Sequence, residues 1–489
     1  MRERLPFLTK FFYGFGSMAY GIKDNAFAYF LLFVYVQVFG LSPQLAGLAI
    51  FIMLIVDAIS DPIIGYMSDR TRSSLGRRHP YIYLSALPVS LSFFFLWDPP
   101  SDMTQYQLFL YLLGMGVVIR TAITFYEIPS TALGPELSKD YVERSSLMSY
   151  RYWFGWWGGL AVWNSLWIFV VYSSLNQTTD ARYLPSTWST YGLVCSIVMF
   201  VAIFVTAAGT HRHIKDLHIP KSETKTIKVV FSELYETMTV SKDYLVLFLA
   251  MVIMGIAAGI TTNLTLYFYS YFWEFSPINI LTIGLTLFLA PLAGLKLSPF
   301  LTERMGKRNS VVLLFAVALI VENVVIAARL FGILPENGAD ATLFSIPLPF
   351  EALPILNVNL ILFLVLFCHW IAICCQIISY TILAAMVFDT VEEVEQKTGR
   401  RMEGTLLAAR SFAAKCMSGA GAFLAGIILT YSMWPEKAKA GEIPEETLFT
   451  MGATTITISL CLWALALVVI SRVKMTQEIH DKNLTELEY

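Results

Sequence analysis

Apolar stretches long enough to cross a bilayer, each roughly 20 residues, recur from one end of this chain to the other. Twelve can be traced, at about 11–39, 43–68, 80–97, 106–133, 149–172, 187–209, 243–272, 279–301, 309–332, 358–388, 404–431 and 447–472. Hydrocarbon offers backbone amides no water, so runs of this length must satisfy their hydrogen bonds internally, as helices. Only 14% of residues are charged, against about 25% in a soluble domain. The expected fold is therefore an all-α polytopic membrane protein. A net charge of -2 gives no electrostatic case for nucleic acid. The segment after "MRERLPFLTK" is too long for the apolar region of a cleavable signal.

Loop charges set the expected orientation. Basic residues gather in alternate loops: Arg2, Arg4 and Lys10; Arg70, Arg72, Arg77 and Arg78; Lys139, Arg144 and Arg151; and onward to Arg472 and Lys474. The intervening loops hold only Arg182, Lys437 and Lys439. The positive-inside rule then places both termini in the cytoplasm, as an even number of spans requires. All six cysteines fall inside spans and read as small buried hydrophobes, with no disulfide expected.

The chain also repeats itself. "DPIIGYMSDRTRSSLGRR" follows the second span and "APLAGLKLSPFLTERMGKR" follows the eighth. Each has Pro, a Gly three residues on, and a later Gly followed by two basic residues, while Asp61 of the first copy is Ala290 in the second. The expected organisation is a six-helix bundle over 1–210, a linker over 211–242, a second six-helix bundle over 243–472 and a tail over 473–489. This is the pattern of the major facilitator superfamily: twelve transmembrane helices in two six-helix pseudo-symmetric bundles. Such folds imply a substrate site near the midplane and alternating access. The first copy resembles that superfamily's cytoplasmic signature in Gly65, Asp69, Arg70, Gly76, Arg77 and Arg78, with "RSSL" inserted between its two parts. These residues read as a topology anchor and a structural latch.

Ionisable residues inside spans are costly, about 2.5–3.5 kcal/mol at mid-bilayer on the most lenient scale, and so mark functional cavities. Asp57 and Asp61 stand one helical turn apart on one face. Two such carboxylates repel unless a proton or a cation joins them, and hard cations take oxygen ligands, which Ser60 and a hydroxyl on another helix could supply. Arg120, Thr124 and Glu127 form one stripe of the fourth span. Lys23 and Asp24 are neighbours in the first span and diverge by about 100°. Lys415 sits near mid-depth in the eleventh. Arg329 and Lys296 lie near helix ends and read as structural. The aromatic stretch "YFYSYFWEF" (267–275) reads as an interfacial belt or a cavity wall, with the belt favoured.

At these residues the sequence resembles the glycoside–pentoside–hexuronide:cation symporter family. The resemblance is carried by "DAISDPIIGYMSDRTRSSLGRRHP", "EGTLLAARSFAAKCMSGAGAFLAG", "KDNAF" and "YEIPSTALGPEL". It implies cation-coupled symport of a sugar or glycoside, with no cofactor beyond sodium or a proton as coupling ion. The implied cation site is Asp57, Ser60, Asp61, Thr124 and Lys415. The implied substrate site includes Asp24, Glu127, Arg151 and Tyr380, to which the spans add Lys23, Arg120 and Arg410. Serine at position 60 replaces the family's asparagine, which leaves sodium and proton both open. Thr131 replaces an expected tryptophan and Arg410 an expected neutral amide. With Arg120, these changes suggest an anionic glycoside.

The animal sodium-dependent lysophosphatidylcholine symporters share this resemblance, so a lysolipid or another amphiphile is the alternative substrate. Asp24 and Glu127, suited to sugar hydroxyls, favour the glycoside. No HExxH, GxSxG or Cys/His cluster supports an enzyme, and no filter motif supports a channel. The expected protein is a monomeric carrier in a cell membrane, in the first place a bacterial inner membrane.

Overall fold

The computed structural model describes residues 5–138, 141–175, 180–214, 240–338, 341–347, 354–398 and 403–474. The first span is broken. It runs as α1 (Phe7–Phe15) and α2 (Ser17–Asn25), widens into a π-turn over Ala26–Phe30, passes through α3 (Leu31–Phe33), and widens again over Val34–Val38. Long helices follow: α4 (Pro43–Arg70), α5 (His79–Trp97), α6 (Gln105–Leu137), α7 (Tyr141–Leu175) and α8 (Pro185–His211). Beyond the linker come α9 (Lys242–Tyr267), α10 (Pro277–Thr286) and α11 (Ala290–Leu330). The series ends with α12 (Leu360–Thr398), α13 (Glu403–Tyr431) and α14 (Glu445–Ile470). Nine helices among the described residues are long and apolar enough to cross a membrane.

Local chemistry explains the helix starts. Thr104 and Gln107 form a reciprocal capping box at the head of α6. Pro43, Pro185 and Pro277 open α4, α8 and α10, where a missing N–H costs nothing.

The chain divides into two compact units, one of residues 1–227 with Pro435–Lys439, the other of 228–434 and 440–489. Lipid gives apolar helices little reason to associate, so close backbone approach and side-chain packing must hold each unit together. In the first, Gly21 faces the Gly155 carbonyl so closely that a Cβ would sit 2.0 Å from its oxygen. In the second, Gly259 of α9 meets Gly421 of α13 in the same way. Trp97 and Trp188 stack at 5.7 Å in the first unit. Buried Tyr244, Phe315, Ile378 and Trp463 belong to one core cluster in the second.

The repeated loop motif folds alike in both halves. Gly76 and Gly306 both adopt a left-handed φ, 72° and 76°, which a side chain would strain. At Gly306 this breaks α11, whose first arm completes the expected eighth span begun by α10 and whose second arm carries the ninth. Past Gly76, Arg77 and Arg78 converge on Glu136 at the end of α6, at 2.7 and 2.9 Å. Arg78 also pairs with Asp69 and donates to the Ser68 hydroxyl. Past Gly306, Lys307 reaches both oxygens of Asp389 on α12 at 2.7 Å, and Arg308 donates to the Val473 carbonyl. Arg70 instead lies over the Tyr66 ring. Gly65 faces Ile128, where a Cβ would make only ordinary contact.

Two features depart from the sequence reading. Residues 341–347 and 354–359, read as loop, contain a two-stranded antiparallel pair, β1 (Thr342–Ile346) and β2 (Leu356–Asn359). The aromatic stretch at 267–275 is not an outward belt. Its core, Phe268–Phe272, is a π-turn ending α9, and all five side chains are buried inside the second unit.

Candidate functional site

The intramembrane charges of the first unit form two adjoining clusters. On α4, Asp57 is fully buried and Asp61 half-buried. Pro62 follows at once and has no N–H to return to the Ala58 carbonyl. On the facing helix α6, the Arg120 guanidinium holds Asp57 Oδ2 at 2.9 Å and lies over the Phe27 ring at 4.6 Å. The Thr124 hydroxyl stands 3.1 Å from Asp57 Oδ1, 3.2 Å from Asp61 Oδ1 and 2.9 Å from the Arg120 carbonyl.

That hydroxyl has one hydrogen and three acceptors. Whichever it serves, two oxygens stay at hydrogen-bond distance from it with no proton between. A proton on a carboxylate, or a cation among the oxygens, removes the conflict. The Ser60 hydroxyl donates to the Asp57 carbonyl at 2.9 Å.

The second cluster lies on α2, α6 and α7. Lys23 is buried and pairs with Asp24 at 2.8 Å, with Glu127 at 3.9 Å. The two carboxylates remain accessible, 60% and 29% exposed, while the Lys23 side chain is only 3% exposed. Adjacent positions on α2 thus diverge as their spacing requires, yet the long lysine arm still curls back to its neighbour. Arg151 is buried too, donating to Ser130 and Thr131 hydroxyls at 3.0 and 2.8 Å. Its own carbonyl accepts from Tyr20, and its guanidinium lies over the Tyr13 and Tyr20 rings.

Arg120 and Arg151 are therefore committed inside the unit, which changes their meaning. Arg120 is the counter-charge of Asp57, and Arg151 braces α7 against α6. Of the two cations behind the expected anionic pocket, Arg120 and Arg410, the first is paired with Asp57. Ser130 and Glu136 went unremarked in the sequence. Both lie in "YEIPSTALGPEL", where a polar residue one turn past Glu127 and an acid near the basic loop were the available signals.

The remaining candidates lie on the second unit. Lys415 is half-buried on α13. Tyr380 on α12 sets its ring edgewise to Phe315, 5.5 Å between centroids. The side chains of Arg410 and Lys296 lie outside the described residues.

Residues 12–477 match the family model described as MFS/sugar transport protein. The chain is 26% identical to the symporter YnaJ of Bacillus subtilis, over 99% of this chain and 96% of that one. It is 23% identical to the isoprimeverose transporter of Lactiplantibacillus pentosus, over 88% and 81%. A stretch of 155 residues is 40% identical to a symporter of Synechocystis sp., covering 31% of this chain but only 28% of that protein. Among solved structures, a D-xylose–proton symporter superposes over 96% of this chain and 98% of its own with a TM-score of 0.64 at 12% identity. The apolar helices, the doubled loop motif and these likenesses agree: the chain belongs to the MFS/sugar transport protein family, and it is a multi-pass membrane transporter of the major facilitator fold, not an enzyme.

Proposed function

We propose that the protein is a symporter that couples uptake of a sugar or glycoside to a cation, in a bacterial inner membrane with both termini cytoplasmic. The observation that carries this reading is the lone Thr124 hydrogen set among three acceptors, two of them carboxylates in mid-span. Asp57, Asp61 and Thr124 are the residues that would receive a sodium ion or a proton. Relatives named as symporters, and one named for isoprimeverose, support coupling and a glycosidic substrate.

Asp24 and Glu127 present accessible carboxylate oxygens, suited to the hydroxyls of a sugar. Lys23 fixes their positions from the buried side. Because Arg120 is already paired with Asp57, these accessible acids favour a neutral glycoside, with a hexuronide as the alternative.

The test is uptake into proteoliposomes of labelled neutral glycosides, hexuronides and lysophosphatidylcholine, each with a sodium gradient, a proton gradient or neither. Gradient-stimulated uptake of a neutral glycoside is expected, and Asp57→Asn should abolish the stimulation. Full gradient dependence in that variant would remove the cation site from Asp57. Lysolipid uptake in place of glycoside would keep coupling and overturn the substrate.

A further inference from the structure

The second unit holds a partly open pocket of about 80 Å³, walled by α9, α11, α12 and α14. At roughly 10–15 Å³ per water it has room for several waters or one small ligand. Glu322 of α11 lines it, and its carboxylate accepts from the Gln376 amide at 3.1 Å. Among the described residues no basic side chain lies within ion-pair distance of Glu322. An intramembrane carboxylate without a cation is costly and marks function.

The rest of the wall shows what would balance it. Thr261, Thr265 and Thr455 all line the cavity, and each spends its hydroxyl hydrogen on its own helix backbone. Asn323 does the same with its amide, donating to the Leu319 carbonyl. What these side chains still offer is lone pairs: three hydroxyl oxygens, the Asn323 carbonyl oxygen and the second Glu322 oxygen. These acceptors around one carboxylate suit a donor that carries positive charge, beside the Tyr269 hydroxyl, the Trp273 indole N–H and the His369 imidazole, which share the wall. The aromatic rings of Phe268, Tyr269 and Trp273 complete the lining, and ring faces attract organic cations more than they serve a hard metal ion. His369 sits edgewise to Tyr269 at 6.2 Å.

We propose that this cavity binds a small organic ammonium ion, held by Glu322 and the hydroxyl oxygens and enclosed by the aromatic rings. The site lies within one unit and is separate from the Asp57–Thr124 cluster, so it stands whether or not the symport reading holds.

Methylammonium is the probe, titrated into the purified full-length protein in nanodiscs and followed by calorimetry. Saturable binding is expected, and Glu322→Gln, which keeps the shape and the Gln376 contact, should weaken it roughly tenfold or more. A second measurement needs no variant. Cys368 lines the same cavity, and methylammonium should slow its alkylation by N-ethylmaleimide, read by peptide mass spectrometry. Absence of saturable binding, equal binding by Glu322→Gln, or equal protection of Cys368 by sodium or potassium ions would each overturn the proposal.

Discussion

A buried carboxylate and a buried guanidinium 2.9 Å apart, Asp57 and Arg120, set the energetics of the candidate coupling site. Removing one partner of such a pair costs about 3–5 kcal/mol, because the other charge is left buried alone, whereas removing both costs far less. Asp57→Asn and Arg120→Gln should therefore each lower the thermal unfolding temperature of the purified protein, and the double variant should lose less than their sum. A coupling of about 1–3 kcal/mol is expected from residues in direct contact. Strict additivity would mean that the pair contributes nothing and that Arg120 is available to substrate after all. Sequence alone could not choose between those roles. It placed Arg120, Thr124 and Glu127 on one stripe of α6, and Asp57 and Asp61 on one face of α4. Which stripe faced which helix depended on packing that no single-helix period encodes. Ser60 shows the same limit, since no single-helix period says that its hydroxyl hydrogen goes to the Asp57 carbonyl.

At the scale of elements, the basic loop motif and its Asp69 were legible, but the distant acids Glu136 and Asp389 were not. The pattern of Gly followed by two basic residues predicted a turn and an anchor. Glu136 lies about sixty residues away at the end of α6, and Asp389 a comparable distance past Lys307 on α12. The two latches should differ in strength. Glu136 is 2% exposed and holds two guanidiniums, so Glu136→Gln leaves charge stranded in a buried site, at about 3 kcal/mol or more. The Lys307–Asp389 pair is 35% and 13% exposed, and Asp389→Asn should cost nearer 1 kcal/mol, as for a screened pair. Thermal unfolding of the two variants side by side reads the difference. Equal losses would show that exposure does not rank these pairs. The small strands β1 and β2 were missed for another reason: nine residues of paired strand between polar turns give too short an alternation to stand out from loop.

For the whole molecule, spans of roughly 20 apolar residues dictated the architecture, because a bilayer permits little else. The doubled motif then gave the two-fold organisation, and the left-handed Gly306 marks where the chain breaks between two spans. Function at this scale is a relation between two sites. The Asp57–Thr124 cluster and the Asp24–Glu127 carboxylates share α6, with Thr124 and Glu127 three residues apart. An occupant of one cluster therefore acts on the helix that presents the other. If cation and sugar are coupled through α6, linkage requires the effect to be reciprocal: the factor by which the cation tightens substrate must equal the factor by which substrate tightens the cation. Typical couplings are about 5–150-fold. Calorimetric titration around the square, with sodium and glycoside each added first and second, should return matching factors within that range. Thr124→Val, which removes the shared hydroxyl but keeps the shape, should bring both factors toward one while leaving glycoside affinity in the absence of cation within a few-fold of its original value. Factors that stay large in Thr124→Val would place the coupling on another element, and factors near one in the unaltered protein would make it a carrier of sugar alone.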